Sequence, residues 1–250
     1  MAWKVFFATA TGRTHQQDGV PCQDSGGYLV RDGILVASVC DGAGSARAGG
    51  EGAGLFAALL PERVAAQFPS GPPALEDEAR AALARALGEV RDGVATQAAG
   101  RDLVLADFAC TLIGCIASGE GGWFFHVGDG YGASRGRGGE PGAISRPENG
   151  EFADETYFVT DEAWVDHLRL TPIPPPGRGG VIGLLSDGVA PFAIDRARSG
   201  FFAPFLDPVL AYLAGVDEAA GNEALAHLLA GERALEISAD DKALLLAIAT

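Results

Sequence analysis

Basic charge is what this chain has least of. Its 18 lysines and arginines face 33 aspartates and glutamates, for a net charge of −15, and only Lys4 and Lys242 are lysines. No basic stripe is present, so a nucleic-acid backbone has no electrostatic footprint to bind, and anionic lipid headgroups would be repelled. The acidity by itself means little more than solubility. Long apolar runs are absent too. The longest uncharged apolar stretch, "FACTLIGCIASG", is too short to span a bilayer. The start, "MAWKVFFATATGRTH", lacks the basic segment and apolar length of a signal peptide. Cysteine is sparse. Cys22, Cys40, Cys110 and Cys115 form no CxxC pair and lie in or beside apolar segments, so we expect reduced, buried thiols in a cytoplasmic protein rather than disulfides or a zinc site. GxxxxGK[ST], HExxH and GxSxG do not occur, and the GxGxxA match at Gly52–Ala57 lies inside a helical stretch rather than at a strand–helix turn. His15, His126, His167 and His227 are dispersed without ligand spacing; His126 is expected to pack in a strand and His227 to lie on a helix surface.

What is there is apolar patterning. With 48% apolar residues over 250 positions and no linker-like segment, the chain is expected to form one domain, 1–250. "AWKVFFATA" reads as a strand and "TGRTHQQDGVPCQDSGG" as a polar loop. "YLVRDGILVASVCDG" reads as two strands joined by Asp32-Gly33, a favoured hairpin dipeptide. Two helices follow. The first runs through "GGEGAGLFAALLPERVAAQF", with Pro61 as a break or kink; the second is "ALEDEARAALARALGEVRDGVATQAA". "DFACTLIGCIAS" and "GWFFHVGDGYGASRG" read as a hairpin, "ETYFVT" as a short strand, and "TPIPPPGRGG" as a turn region. "VIGLLSDG" is a buried strand, residues 206–230 are mostly helical, and "KALLLAIA" is a continuous apolar strand in a central position. Strands grouped in hairpins and separated by helix pairs imply an α+β fold of antiparallel sheets flanked by helices, not a doubly wound parallel one.

The acids stand out against this pattern. Asp41, Asp129 and Asp187 each sit where an apolar strand stops, each followed by glycine. Asp240 and Asp241 precede the last strand, and Asp24 lies in the first loop. Asp-Gly is a common turn dipeptide and the chain has six; Asp18-Gly19, Asp32-Gly33 and Asp92-Gly93 are assigned to turns or helix ends. The shared strand-end setting separates the other three. A carboxylate at a strand end is fixed and half shielded, and several together repel unless a cation neutralises them. Hard cations with oxygen ligands, Mn²⁺ or Mg²⁺, suit such a set, and each glycine lets the chain turn sharply. No contiguous oxygen-rich loop of the kind that holds structural Ca²⁺ is visible.

"CDGAGS", "ACTLIGCI…FFHVGDGYGAS", "LLSDG" and "ADDKALLLAI" occur in an order and spacing that resemble the metal-dependent Ser/Thr protein phosphatases of type 2C, from about residue 8 to the C-terminus. "THQQDGVPCQDS" and "NGEFADETYFVT" resemble a bacterial subgroup of stand-alone phosphatase domains. The resemblance implies two packed antiparallel sheets between helix pairs, an αββα sandwich, and a phosphoprotein phosphatase acting in signalling. It also implies two Mn²⁺ or Mg²⁺ ions, with Asp41 bridging them, the Gly42 carbonyl on one, Asp187 and Asp240 on the other, and Asp24 on the first, directly or through water. Asp129 matches an acid that helps hold a third, weaker ion in some members. Such ions, about 3.5–4 Å apart, would share a water, lower its pKa and present a hydroxide in line with phosphorus. Four positions depart from the pattern. Gln23 and Ala43 replace an acid and a histidine, Pro191 replaces an acid that serves the third ion, and Asp241 stands where asparagine is usual and competes with Asp240 as ligand. The resemblance does not place the arginine that commonly grips substrate phosphate at one position, and His15 or Arg13 could take its role. The implied partners are a phosphorylated protein substrate and a cognate Ser/Thr kinase. These departures also motivate an alternative: a catalytically impaired relative that binds phosphoproteins or a partner domain without turnover.

Overall fold

The structure is a computed structural model, and it describes residues 1–148, 156–197 and 199–250. Among the described residues ten strands form two antiparallel sheets. The first sheet has the order β1 (Trp3–Ala10), β10 (Lys242–Ala249), β9 (Val181–Leu185), β6 (Tyr131–Arg135), β7 (Pro141–Ser145). The second has the order β2 (Asp24–Arg31), β3 (Ile34–Asp41), β4 (Leu112–Ser118), β5 (Gly121–Val127), β8 (Arg169–Ile173). The expected α+β sandwich is the fold observed.

The apolar runs are continuous because both faces of each sheet are covered. In β10, Ala243, Leu245 and Ala247 pack against the other sheet, while Leu244 and Leu246 pack outward under helices. In β3, Leu35, Ala37 and Val39 face inward, while Val36 and Cys40 face outward. The outer layer on the second sheet is α2 (Gly49–Gln67) with α3 (Glu76–Ala99). On the first sheet it is α4 (Ala190–Ala193), α5 (Ala203–Leu213) and α6 (Glu218–Leu229). A short α7 (Glu232–Ile237) then leads back towards β10. Among the described residues no helix is long and apolar enough to cross a membrane.

Several local expectations are corrected. The first loop holds a short helix, α1 (Arg13–Asp18), which buries no residue and so leaves no apolar periodicity to read. Strand β2 starts at Asp24 rather than Tyr28, because its polar, Gly-rich first half is held by pairing with β3. Asp92-Gly93 lies inside α3, where burial of Val90, Val94 and Ala98 outweighs its turn preference. Pro61 does not break α2. Proline cannot donate to the Ala57 carbonyl one turn back, and that carbonyl lies over Gly27 of β2, where a Cβ would come within 2.1 Å of it. "GWFFHVGDGYGASRG" is not one hairpin arm: the chain leaves the second sheet at Val127 and enters the first at Tyr131. β8 extends into the proline-rich turn region, and β7 had no readable signal. Of "ETYFVT", residues 157–160 are loop and turn, and Glu155 lies outside the described residues, as does most of "NGEFADETYFVT". The Asp32-Gly33 hairpin is as expected, with φ of 52° and 79°. Cys40, Cys110 and Cys115 are buried free thiols, while Cys22 is half-buried.

Candidate active site

The acids gather at one end of the sandwich. Along β3 the inward residues are Leu35, Ala37 and Val39, and the same alternation makes Asp41 the next. The antiparallel register sets Asp24 directly opposite Asp41. Like charges opposed on one pleat are destabilising in an ordinary sheet. Asp187 follows β9 and is tied to β10 through Ser186, whose N–H donates to the Ala243 carbonyl (3.0 Å) and whose Oγ accepts from the Ala243 N–H (2.8 Å). Asp129 sits where the chain crosses between sheets, and its Oδ2 accepts from Thr156 Oγ1 at 2.9 Å.

Burial and mutual repulsion shape the charges. Asp24 is 6% exposed. Its burial, reinforced by Asp241 and Asp187 and opposed by the Ser186 hydroxyl and the Asp41 carboxyl, pushes its pKa up to about 7. Burial raises Asp41 well above the usual carboxylate range, with Asp24, Asp187, Asp129 and Asp240 adding to the effect. Burial, then Asp240 and Asp129, push Asp187 up to about 6. Asp41 thus lies within electrostatic reach of Asp24, Asp129, Asp187 and Asp240, the other four acids singled out in the sequence. Both carboxylate oxygens of Asp24, and Oδ1 of Asp187, are buried, and among the described residues no hydrogen bond of good geometry reaches them, although the Ser186 hydroxyl and the Asp41 carboxyl lie near enough to Asp24 to act on its charge. Orphaned buried carboxylate oxygens are costly, and a cation is what such a set accommodates. Among the described residues no three His, Cys, Asp or Glu side chains are arranged closely enough to hold one ion by themselves, so an ion bound here would keep much of its water shell, as Mg²⁺ and Mn²⁺ do.

Asp240 and Asp241 differ in what they touch. Asp241 is buried, and its Oδ1 accepts from the Gly12 N–H (2.7 Å). Its Oδ2 accepts from the Gln23 N–H (2.6 Å) and lies 2.8 Å from His15 Nδ1. It therefore joins the start of α1, the residue before Asp24, and β10. Asp240 is exposed, and among the described residues its Oδ1 accepts only from the neighbouring Asp241 N–H (2.9 Å). Asp240 is the freer carboxylate, and Asp241 ties three segments together. His15 is pinned by Asp241 with its ring partly open to solvent, whereas Arg13 is fully on the surface.

The strand-end glycines do not make left-handed turns; Gly42, Gly130 and Gly188 all lie outside the positive-φ set. They allow close approach instead. A Cβ on Gly188 would fall 1.9 Å from the Asp241 carbonyl oxygen, and one on Gly42 would fall 2.4 Å from Gly49 at the start of α2. Lys242 was not nominated by the sequence. It is fully buried, and its Nζ donates to the carbonyls of Ser238 (2.9 Å) and Asp240 (2.6 Å), tying the turn that presents Asp240. The signal lay in plain view: one of only two lysines opens an otherwise apolar strand. His126 is a core residue, with Nδ1 3.0 Å from Ser145 Oγ, and His227 is exposed on α6, both as expected.

Comparison with known proteins bears on this arrangement. A family model described as Protein phosphatase 2C matches residues 11–230. The chain is 29% identical to Serine/threonine-protein phosphatase 3 of Escherichia coli K12, over 99% of each chain. A solved bacterial serine phosphatase shares the fold with a TM-score of 0.64 at 16% identity, covering 100% of this chain and 98% of that one. RsbX, solved in complex with magnesium, has a TM-score of 0.56 at 11% identity, covering 99% and 96%. With the family model spanning most of its length, the chain belongs to the protein phosphatase 2C family and is by class a phosphoprotein phosphatase.

Proposed function

We propose that the chain is a Mn²⁺- or Mg²⁺-dependent protein phosphatase hydrolysing phosphoserine and phosphothreonine. The observation that carries this reading is the pair of unpartnered, buried Asp24 oxygens facing Asp41 within a set of five acids. Asp24, Asp41, Asp187 and Asp240, with the Gly42 carbonyl, would hold two cations, and Asp129 a third, weaker one. Magnesium in the RsbX complex supports the ion type. Divalent cations held there would supply activation of water and charge stabilisation at the phosphoryl group. The chain's own residues do the rest. Burial of Asp24 and Asp41 keeps the site low in dielectric, so fixed charges act strongly on a phosphate. Asp241 holds the His15 ring, which in its protonated form offers Nε2–H to a phosphoryl oxygen. Ala43 offers no proton, so the leaving oxygen takes one from solvent. The substrate would be a phosphorylated protein, with a Ser/Thr kinase as the opposing enzyme, in the cytoplasm.

The test is p-nitrophenyl phosphate and phosphopeptide hydrolysis with Mn²⁺, Mg²⁺ or EDTA, beside Asp41→Asn. Cation-dependent turnover that the variant loses while keeping its fold supports the reading. Full activity in Asp41→Asn removes it. Phosphopeptide binding without turnover at any Mn²⁺ concentration favours the impaired relative, for which Gln23 and Ala43 are the motivating residues.

A further inference from the structure

A groove of about 670 Å³ opens on the helical side of the first sheet, between the α4–α5 segment and α6–α7. That volume is within the range of pockets that take drug-sized ligands or a few peptide side chains, about 300–1,000 Å³. Phe192, Ile194 and Phe205 line it, and Phe202 (44% exposed), Leu228 (40%) and Ile237 (47%) stand open at it. Exposed apolar side chains converging on one concavity mark an interaction site, whereas scattered ones do not.

The charge at this groove runs against the rest of the chain. The net charge is −15. Seven arginines elsewhere pair with acids: Arg31 with Glu62, Arg47 with Asp107, Arg63 with Glu89, Arg80 with Glu76, Arg101 with Glu51, Arg135 with Asp207 and Arg169 with Glu148. At the groove, Arg196 and Arg233 are exposed and, among the described residues, neither has an ion-pair partner. His227 stands with them, and Glu232 is the one acid in the lining. The walls are also joined to the acid site by short stretches of chain. Pro191, at the start of α4, is four residues past Asp187, and Ile237, at the end of α7, is three before Asp240.

We propose that this groove docks a short acidic segment of the phosphoprotein substrate, one that carries a large apolar side chain flanked by aspartate or glutamate and lies apart from the phosphorylated residue. The apolar side chain fills the Phe192–Phe205–Leu228 concavity, and the acids meet Arg196 and Arg233. An acidic partner is repelled by the net charge of the chain and attracted by the two arginines here, so charge favours this apolar groove over the acidic surface around it. Seating on elements contiguous with Asp187 and Asp240 tethers the substrate close to the site and raises the effective concentration of its phosphate. The docking role rests on the phosphatase reading above; the binding itself does not.

The probe is a fluorescein-labelled Asp-Glu-Phe-Leu-Asp-Glu peptide followed by anisotropy, against the full chain and the double variant Arg196→Glu/Arg233→Glu. The expected result is binding by the unmodified chain that weakens about tenfold or more in the variant and weakens with salt. It also weakens when the peptide's phenylalanine and leucine become alanine. Binding that the variant retains, a lysine-for-acid peptide binding equally well, or no binding up to millimolar peptide overturns the proposal. Two further arms separate the readings. In the first, p-nitrophenyl phosphate turnover, which needs no docking, is unchanged in the variant. In the second, a phosphopeptide carrying the acidic segment loses its KM advantage over one without it, at equal kcat. A chain that binds the probe but turns over nothing keeps the groove and refutes the phosphatase reading. A chain that turns over p-nitrophenyl phosphate but shows no KM advantage for the tethered segment refutes the docking role alone.

Discussion

Removing divalent cations should make this protein less stable as the pH rises from 5 to 8, against the trend of most proteins with paired acids. The Asp24 carboxyl has an ordinary pKa of 3.8 and is pushed up to about 7 in the fold. Below about pH 4 both folded and unfolded states hold the proton, and no penalty exists. Between about pH 4 and 7 the unfolded chain has lost the proton and the folded one keeps it, so stability falls as pH climbs. About three units at about 1.4 kcal/mol each give a total loss near 4 kcal/mol, complete above pH 7. The part between pH 5 and 7 is about 3 kcal/mol, or roughly 5–10 °C in Tm for a chain of this size. Asp187, raised to about 6, acts in the same direction but shares its repulsion with the same neighbours, so the two losses do not simply add. Thermal unfolding in EDTA at half-unit pH steps reads the slope, and Asp24→Asn, which cannot titrate, should flatten it. Saturating Mn²⁺ should invert it, because the ion binds the ionised carboxylates and stabilises by mass action most where protons compete least. A metal-free Tm that is flat or rising over this window, or an unchanged slope in Asp24→Asn, would refute the account of the site as a buried, cation-starved carboxylate pair.

Three further outcomes follow from individual contacts. Asp241→Ala strips acceptors from Gly12, Gln23 and His15 and should cost about 3 kcal/mol or more in urea unfolding, at 1–3 kcal/mol per buried group left unsatisfied; a loss below about 1 kcal/mol would mean that water replaces it. Lys242→Met unties the Ser238–Asp240 turn and should weaken Mn²⁺ binding, read by calorimetry, about tenfold or more, with unchanged affinity refuting the positioning role. Gly27→Ala drives a Cβ to 2.1 Å from the Ala57 carbonyl oxygen and should lower stability by about 1–3 kcal/mol through overpacking, whereas a neutral effect would mean that α2 shifts freely on its sheet.

The sequence carried the sandwich but not its seams. Covered on both faces, β3, β9 and β10 leave continuous apolar runs, and such runs are legible. Edge strands β7 and β8 bury less and left no pattern, and α1 buries nothing at all. The same contrast governs the site. Asp41, Asp129 and Asp187 were legible because each interrupts an apolar run. Asp24 was legible only through resemblance, since it opens a polar strand whose pairing with β3 is a long-range fact. The division of labour between Asp240 and Asp241 was not legible, because adjacent identical residues differ only in what reaches them from distant segments. The reason for the glycines was misread. They admit neighbouring backbone rather than reverse the chain, and that distinction needs the third dimension.

The acid cluster is tolerable before any cation arrives because the fold supplies partial neutralisation from within. Asp24 and Asp41 hold their protons to unusually high pH. Lys242 sits fully buried beside them, with Asp240, Asp241 and Asp24 favouring its charge against the burial that disfavours it. Its ammonium bonds to carbonyls rather than to the carboxylates, so it offsets their charge without occupying their oxygens. A lysine bonded directly to Asp24 would compete with a cation for the same lone pairs; one bonded to the Ser238–Asp240 turn leaves them open. Cation binding at such a site is therefore an exchange of protons for metal. The number of protons released on binding Mn²⁺ should fall by up to about one between pH 6 and pH 8.5, as Asp24 ionises before the metal arrives. Calorimetry in buffers of different ionisation enthalpy measures that number, and proton release that does not change between the two pH values would show that the raised carboxylates are not the groups that meet the metal.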